Sequence, residues 1–184
     1  MTETQTLAID DARARAQRLL QNAELVCSEA DVGQALKRVA VEITARLAAS
    51  YPLVLAVANG ALVFAGGLLP RLAFALEFEV IRVSRYRDQT TGGVLNWLLA
   101  PQAALQGRSV LVLDDILDEG MTLHAIREHV LAAGAQSFYS AVLVDKQLGR
   151  PKPMQADFVG LHVPDRYVFG CGMDVRGYWR NLPA

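Results

Sequence analysis

An apolar run that passes directly into a cluster of acids constrains the fold of this chain more than any other feature of its sequence. Residues 110–123 read VLVLDDILDEGMTL. Four carboxylates lie within six positions of this segment, namely Asp114, Asp115, Asp118 and Glu119. Because like charges at such spacing repel one another, we expect a positive or hydroxyl-rich group to bind among them.

The segments around the acids predict a parallel sheet. Residues 109–113 and 137–144 are apolar runs typical of strands that are covered on both faces. Between them, MTLHAIREHVLAAG predicts a helix that ends at Gly134. A strand, a helix and a strand at this spacing form a βαβ unit with a right-handed crossover, which indicates an α/β fold.

The rest of the chain extends this pattern. Residues 1–50 predict helices, and the segments LVLAVA and EFEVIRVSRY predict two further strands. DFVGLHV and YVFGCG predict short strands near the end. Residues 87–108 and 146–156 are predicted to be loops because glycine or proline interrupts them. The basic residues at 150–152 are expected to be solvated. A length of 184 residues favours one domain.

One apolar segment is long enough to cross a membrane. Residues 53–70 contain no charge over eighteen positions. Asn59-Gly60, Gly66-Gly67 and Pro70 interrupt the segment, which favours a buried strand, a tight turn and a short buried helix instead. The polar, acidic N-terminus is not typical of a signal peptide.

Composition narrows the classes of function. The 18 basic and 19 acidic residues give a net charge of -1, which argues against a nucleic-acid binder that relies on bulk positive charge. Cys27 and Cys171 are too few for a disulfide framework or a zinc site. They suit a reducing cytoplasm.

The acidic end of the strand at 109–113 is the expected ligand site, because open parallel sheets bind ligands outside the carboxyl ends of their strands. Asp114 and Asp115 can accept hydrogen bonds from ribose hydroxyls. Gly120 and Thr122 begin a helix whose first amides and dipole favour an anion. A sugar phosphate fits both halves, and magnesium would offset the crowded charge. Acids are also favoured at helix N-termini without any ligand, so this pattern alone leaves the phosphate site open.

These residues resemble the phosphoribosyl pyrophosphate signature of the type I phosphoribosyltransferase family. That signature is an apolar strand, two acids, two apolar residues, Asp, a variable residue, Gly, a variable residue and Thr. The tail VDKQLG…DFVGLHVPDRYVFGCGMD is similar to the hypoxanthine-guanine class of the family. The similarity extends from about Leu53 to Arg180.

The resemblance implies a twisted, mainly parallel sheet with helices on both faces. It implies one domain over residues 1–184, with a small hood to which residues 1–50 and 150–184 contribute. The implied reaction transfers the 5-phosphoribosyl group from phosphoribosyl pyrophosphate to a 6-oxopurine, hypoxanthine or guanine, with Mg²⁺. Pyrophosphate and IMP or GMP are the products. A cytoplasmic homodimer or homotetramer is expected.

The resemblance also implies roles for matching residues. Asp118 would be the general base at purine N7, and Asp114 and Asp115 would hold the ribose hydroxyls and, with Asp174, the magnesium. The implied substrate-binding residues are Glu119, Gly120, Met121 and Thr122 for the 5′-phosphate, Lys146 for the 6-oxo group, Tyr167 and Val168 for the purine ring, Asn59, Gly60 and Arg180 for pyrophosphate, and Arg85 and Tyr86 at the start of a mobile loop.

The sequence departs from the family pattern at a few positions. Glu119 replaces a small hydroxyl residue of many relatives, so its carboxylate is expected to point away from the phosphate or to weaken phosphate binding. Asn59 and Ala61 replace a lysine and a glycine of some relatives, and Arg85 replaces a serine. These differences bear on affinity for phosphate and pyrophosphate.

Two other functions compete with the enzyme. A response-regulator receiver domain also begins with an apolar strand and paired acids, but about a hundred residues precede the acids here. A non-catalytic regulator could use the phosphoribosyltransferase fold to sense phosphoribosyl pyrophosphate or nucleotides. Asp118 favours the enzyme, because a sensor needs no general base.

Overall fold

The computed structural model describes residues 3–85 and 95–184, and these residues form one sheet of six strands. The strands are β1 (Leu53–Val57), β2 (Glu77–Arg85), β3 (Leu95–Leu99), β4 (Ser109–Leu117), β5 (Ser137–Gln147) and β6 (Phe158–Pro164). Their order across the sheet is β3-β2-β1-β4-β5-β6. Only β3 pairs antiparallel to its neighbour among these strands, so the prediction of a mainly parallel sheet is confirmed.

Within the described part of the chain, four helices accompany the sheet: α1 (Glu3–Gln21), α2 (Glu29–Leu47), α3 (Ala61–Leu68) and α4 (Met121–Ala132), with a 3₁₀ turn at Leu69–Arg71. The connection through α3 runs from β1 to β2, and the connection through α4 runs from β4 to β5 in the opposite direction across the sheet. Because both crossovers are right-handed, the two helices cover opposite faces.

Helix α2 forms where the sequence predicts it. Ser28 and Asp31 make the reciprocal hydrogen bonds of a capping box, and Arg38 donates a hydrogen bond to the carbonyl of Val159 on β6. The apolar face of α2 is buried against α3, β5 and β6; its buried residues are Val32, Ala35, Val39, Ala40, Ile43 and Leu47. Strand β1, which is buried along its whole length, and the buried residues 110–113 of β4 supply the centre of the core.

Four predictions differ from the structure: one strand was missed, two strands were predicted too short, and one predicted strand does not form. Residues 95–99 form β3 inside the predicted loop at 87–108, because they pair with β2 and Trp97 packs against the core. Strands β4 and β5 continue to Leu117 and Gln147, because each keeps pairing with its neighbour beyond its first charged residue. The segment YVFGCG forms only an isolated bridge, between Gly170 and Met173, and both of its glycines have positive φ.

The segment at 53–70 forms β1, a turn and α3, as the sequence predicts. Within the described ranges, no helix combines the length and the apolar character that crossing a membrane requires. The two ends of the chain contact each other: Trp179 Nε1 donates to the carbonyl of Ala16 at 2.8 Å, and Arg166 pairs with Glu24 at 2.7 Å.

The backbones of β5 and β6 lie close together at Gly160, and a substitution there tests the packing of these two strands. A β-carbon at Gly160 would lie 2.5 Å from the carbonyl oxygen of Leu143. We therefore expect Gly160→Ala to lower the free energy of unfolding by about 1–3 kcal/mol, measured by urea denaturation.

Gly33→Ala in α2 is the matched control. A β-carbon there meets nothing within 4 Å, and alanine is the better helix former. The same measurement should show stabilisation by about 0.5–1 kcal/mol. Equal effects of the two substitutions would contradict the close approach of β5 and β6.

Candidate active site

The chain leaves the neighbouring strands β1 and β4 in opposite directions, which opens a crevice at their carboxyl ends. The turn after β1 and the acids of β4 meet there. A β-carbon built on Gly60 would lie 1.9 Å from Asp115 Oδ2. Only a glycine therefore lets this turn lie against the carboxylate.

Asp114 and Asp115 lie side by side within β4, both half-buried. The amide of Asp115 donates to Asp114 Oδ1 at 3.0 Å, and the amide of Ile116 donates to Asp115 Oδ1 at 2.9 Å. Burial raises the pKa of Asp114 well above its ordinary value, and the negative charge of Asp115 raises it further. Burial also raises the pKa of Asp115, although hydrogen bonds and the charge of Arg180 act in the opposite sense.

Asp118 is paired with Lys146. Lys146 Nζ lies 3.1 Å from Asp118 Oδ1, and the exposed fractions of the two side chains are 11% and 51% respectively. Lys146 was expected after the strand, but it lies within β5, because β5 continues to Gln147. A nearly buried ammonium thus holds a carboxylate that solvent or a ligand can reach.

The N-terminus of α4 forms a cradle at residues 119–122. Gly120 precedes the helix with φ 78°, a left-handed conformation that favours glycine. The amides of the first helical turn lack intrahelical acceptors and carry the positive end of the helix dipole. Glu119 is paired with Arg150 at 3.0 Å, so a guanidinium offsets the carboxylate that departs from the family pattern.

The C-terminal segment packs against the turn at Asn59 and Gly60. A cis peptide bond joins Ala58 to Asn59. A β-carbon on Gly172 would lie 1.9 Å from the carbonyl oxygen of Gly60. Arg180 donates to the carbonyl of Gly172 at 2.6 Å. Residues far apart in the sequence therefore fix this turn next to Asp115.

Asp174 lies within the C-terminal segment, and both of its carboxylate oxygens have partners. Oδ1 pairs with Arg180, and Oδ2 accepts a hydrogen bond from the amide of Gly177 at 2.7 Å. Tyr167 is exposed, and its hydroxyl donates to the backbone carbonyl of Asp174 at 2.8 Å. Val168 next to it is half-buried. Arg180 links this group to the acids of β4.

No three His, Cys, Asp or Glu side chains converge on a metal-sized site in the part of the chain that the structure describes, so Asp174 does not form such a cluster with Asp114 and Asp115. The adjacent acid pair nevertheless suits magnesium. Mg²⁺ prefers oxygen ligands and is commonly held by one or two carboxylates together with substrate phosphates and water. A cation there would compensate for the burial that raises the pKa of both acids and would offset the charge of Asp115 that acts on Asp114.

The structure brings predicted site residues together in three contacts: Gly60 lies against Asp115, Lys146 pairs with Asp118, and Arg180 pairs with Asp174. The structure gives no side-chain information on two of the predicted site residues. Arg85 is described only as the last backbone position of β2, and Tyr86 lies outside the described residues. A cavity of about 770 Å³ under α1 is lined by Tyr167 and Val168 but mainly by apolar residues. The β4 acids and the α4 cradle, rather than this cavity, identify the site, because they carry the ionisable groups and the anion-binding amides.

Lys152 is the main residue that sequence reasoning missed. It was expected in a solvated loop, but only 9% of its side chain is exposed. Its ammonium lies 2.6 Å from the carbonyl oxygen of Leu117 and 2.5 Å from Asp145 Oδ1. The prolines on either side of it were the available signal, because they restrict the backbone where a solvated loop needs no restriction.

Comparison with known proteins adds an independent line of evidence. The sequence matches the family model described as "Phosphoribosyl transferase domain" over residues 28–176. It is 33% identical over 161 residues to the hypoxanthine-guanine phosphoribosyltransferase of Bacillus subtilis (strain 168), which covers 87% of this chain and 89% of that protein. The protein of the same name from Aquifex aeolicus is 31% identical over 162 residues, covering 87% and 91%.

The fold is also similar to a solved structure. A crystal structure of a hypoxanthine phosphoribosyltransferase from Staphylococcus aureus superposes with a TM-score of 0.83 and 27% sequence identity. The superposition covers 90% of this chain and 91% of that one. The similarity therefore includes the sheet and both of its faces.

The raised pKa of Asp114 predicts a pH-dependent gain in stability for Asp114→Asn. A carboxyl whose pKa is higher in the folded state stabilises the fold below its unfolded pKa and loses that contribution as the pH rises through the folded pKa. At pH 7 the asparagine variant should therefore have a higher Tm than the wild type. The Tm should rise by about 2–4 °C for each kcal/mol gained in the free energy of unfolding. The difference in Tm should vanish below about pH 3.5, where the Asp114 carboxyl is protonated in both the folded and the unfolded state.

Asp165→Asn is the control, because Asp165 is exposed and the charge change is identical. Thermal unfolding of the wild type and both variants between pH 3 and pH 8 makes the comparison. A gain for Asp165→Asn as large as that for Asp114→Asn at pH 7 would show that net charge, rather than burial of the acid pair, is responsible.

Proposed function

The chain belongs to the phosphoribosyltransferase family, and from this premise we propose that it is a purine salvage enzyme. It transfers the 5-phosphoribosyl group from phosphoribosyl pyrophosphate to a 6-oxopurine, hypoxanthine or guanine. The products are IMP or GMP and pyrophosphate. The family resemblance of the sequence is confirmed by the match over residues 28–176. The names of relatives about 30% identical over most of the chain support the choice of substrates.

One observation carries this proposal: the pair of Asp118 and Lys146, 3.1 Å apart, at the start of the α4 cradle. Transfer to a purine requires a base that removes a ring proton and a donor that recognises the 6-oxo group. The pair supplies both within reach of a bound sugar phosphate. A module that only binds the sugar phosphate requires neither group.

The sugar phosphate is proposed to bind along β4 and α4. Asp114 and Asp115 accept hydrogen bonds from the ribose 2′ and 3′ hydroxyls. The amides of Glu119, Gly120 and Met121, together with Thr122, hold the 5′-phosphate at the helix N-terminus. The ion pair between Glu119 and Arg150 keeps a negative charge from opposing the phosphate.

The purine is proposed to bind against the C-terminal segment. Lys146 donates to the 6-oxo group, Tyr167 stacks on the ring, and the backbone of Val168 contacts its other edge. Asp118 accepts the proton from N7, and N9 attacks C1′ with inversion while pyrophosphate departs. A positioned base of this kind contributes about 10²–10⁴-fold to the rate.

The leaving pyrophosphate is proposed to lie between the turn at Asn59 and Gly60 and the guanidinium of Arg180. Asp114 and Asp115 would hold Mg²⁺, and Asp174 would join them on leaving its ion pair with Arg180. The bound ion would supply charge stabilisation to the pyrophosphate. Arg180 already lies close enough to lower the pKa of Asp115, which supports its assignment to this charged region. Arg85 and Tyr86 are proposed to bind substrate, as the family resemblance implies; Tyr86 lies outside the described residues.

The terminal segments are proposed to form a hood over the purine within a single domain of residues 1–184. Residues 1–50 and 150–184 contribute to it, and the contact of Trp179 with Ala16 supports this arrangement. A homodimer or homotetramer is proposed, since Val41, Leu62 and Val63 are exposed apolar residues on two adjacent helices. The free thiols of Cys27 and Cys171 support action in the reducing cytoplasm.

A steady-state assay tests the proposed function directly. The wild-type chain is given phosphoribosyl pyrophosphate, Mg²⁺ and hypoxanthine, guanine, xanthine or adenine in separate reactions. We expect nucleotide from hypoxanthine or guanine and none from adenine. Tight binding of phosphoribosyl pyrophosphate without turnover of any base would instead favour a regulator that senses this compound.

Asp118→Asn separates the base from the binding site. It should lower kcat with the 6-oxopurine by roughly 10²–10⁴-fold and leave the Kd of phosphoribosyl pyrophosphate within about threefold of wild type. Asp165→Asn, at an exposed position, should leave both values unchanged. An undiminished kcat in Asp118→Asn would remove Asp118 from the mechanism.

A further inference from the structure

Lys152 makes a buried connection between the ends of two neighbouring strands. Leu117 is the last residue of β4, and Asp145 pairs with it across the sheet on β5. Lys152 Nζ lies 2.6 Å from the carbonyl oxygen of Leu117 and 2.5 Å from Asp145 Oδ1. One ammonium thus joins the backbone of β4 to a side chain of β5.

The same lysine also lies under the phosphate cradle. A β-carbon built on Gly120 would lie 3.5 Å from Cβ of Lys152 and 3.3 Å from the carbonyl oxygen of Met154. The stem of Lys152 and the backbone of Met154 therefore support the turn that presents the first amides of α4. This contact is independent of the ammonium's hydrogen bond to Leu117.

Asp145 is held in place by further partners. Gln147 Nε2 donates to Asp145 Oδ2 at 2.9 Å, and His162 Nδ1 lies 3.3 Å from the same oxygen. The exposed fractions of the side chains are 9% for Lys152 and 17% for Asp145. Loss of the ammonium would therefore leave a backbone carbonyl and a carboxylate short of a donor where water has little access.

We propose that Lys152 is a positioning residue for the phosphate cradle. By fixing the carbonyl of Leu117 and the floor beneath Gly120, it sets the path of the backbone through Asp118 and residues 119–122. It acts through these residues and does not itself touch the substrate. The role deepens the proposed function and rests on it, because the anion that the cradle receives is the 5′-phosphate of phosphoribosyl pyrophosphate.

Lys152→Met tests this role, because methionine keeps an apolar stem but removes the ammonium. The KM for phosphoribosyl pyrophosphate should rise roughly 10- to 100-fold, since misplaced groups weaken contacts that depend on geometry. The KM for the purine should stay within about twofold, because the backbone of Lys146 is fixed by its pairing with β6. Misplacement of Asp118 should appear in kcat instead. An unchanged KM for phosphoribosyl pyrophosphate would overturn the proposal.

Lys37→Met is the matched control. Lys37 is one of three lysines in the chain and is exposed on α2, so the substitution and the change in net charge are identical. It should leave both KM values unchanged. If it raised the KM for phosphoribosyl pyrophosphate as much as Lys152→Met does, the effect would come from overall charge and the positioning role would be rejected.

Hydrogen exchange in the free protein separates local positioning from general destabilisation. Lys152→Met should speed exchange of the amides at 118–122 at least tenfold and leave α2 unchanged. Equal acceleration in α2 would indicate a merely structural role and overturn the proposal. If Lys152→Met does not fold, Asp145→Asn is tested instead, because it removes the charged partner of Lys152. We expect the same changes in KM and in amide exchange. Unchanged KM and exchange in Asp145→Asn would overturn the proposal.

The exchange measurement also keeps the two hypotheses distinguishable. A wild-type chain that shows no turnover would contradict the proposed function. The amides at 118–122 would still decide whether Lys152 positions the turn: faster exchange in Lys152→Met supports the role, and unchanged exchange overturns it.

Discussion

Two adjacent carboxylates, Asp114 and Asp115, are buried where the connections after β1 and β4 run in opposite directions across the sheet. The rest of the structure depends on this burial. Asp114 and Asp115 lie in a strand whose preceding residues are fully buried, and burial raises the pKa of both. Such a pair costs stability in a protein without a ligand. A hydroxyl-rich or cationic ligand would supply the interactions that this pair lacks.

Asp118, Glu119 and Asp174 are each matched by a cation from later in the chain. Lys146 pairs with Asp118, Arg150 with Glu119, and Arg180 with Asp174 near Asp115. These cations come from β5, from the loop after it and from the C-terminal segment. The charge pattern is therefore balanced only when β5 and the C-terminal segment have packed around the end of β4, which joins completion of the fold to formation of the site.

The sequence predicted the order of strands and helices, because apolar periodicity and the positions of glycine and proline are visible in a local pattern. The apolar runs at 109–113 and 137–144, with a helix between them, identified the βαβ unit correctly. The ends of β4 and β5 were missed because both strands pair beyond their first charged residue, and pairing with a neighbour is not visible in a local pattern. Strand β3 was missed for the same reason, since its antiparallel partner is distant in the sequence.

The site was predictable where residues are adjacent in sequence and not where they meet through folding. The acids and Gly120 form one continuous segment, and the family signature identified them together. Lys152 gave only a weak signal, because its partners, Leu117 and Asp145, are brought to it by the sheet. The contact between Gly172 and Gly60 likewise depends on the C-terminal segment folding back over β1.

We propose that one crevice binds the sugar, its phosphate and the purine in a fixed order. A crystal structure with GMP and Mg²⁺ would reveal this order. We expect the phosphate on the amides of residues 119–122, the ribose hydroxyls on Asp114 and Asp115, and the 6-oxo group within hydrogen-bond distance of Lys146 Nζ. A nucleotide bound in the cavity under α1, with no contact to Asp114 or to the cradle, would contradict it.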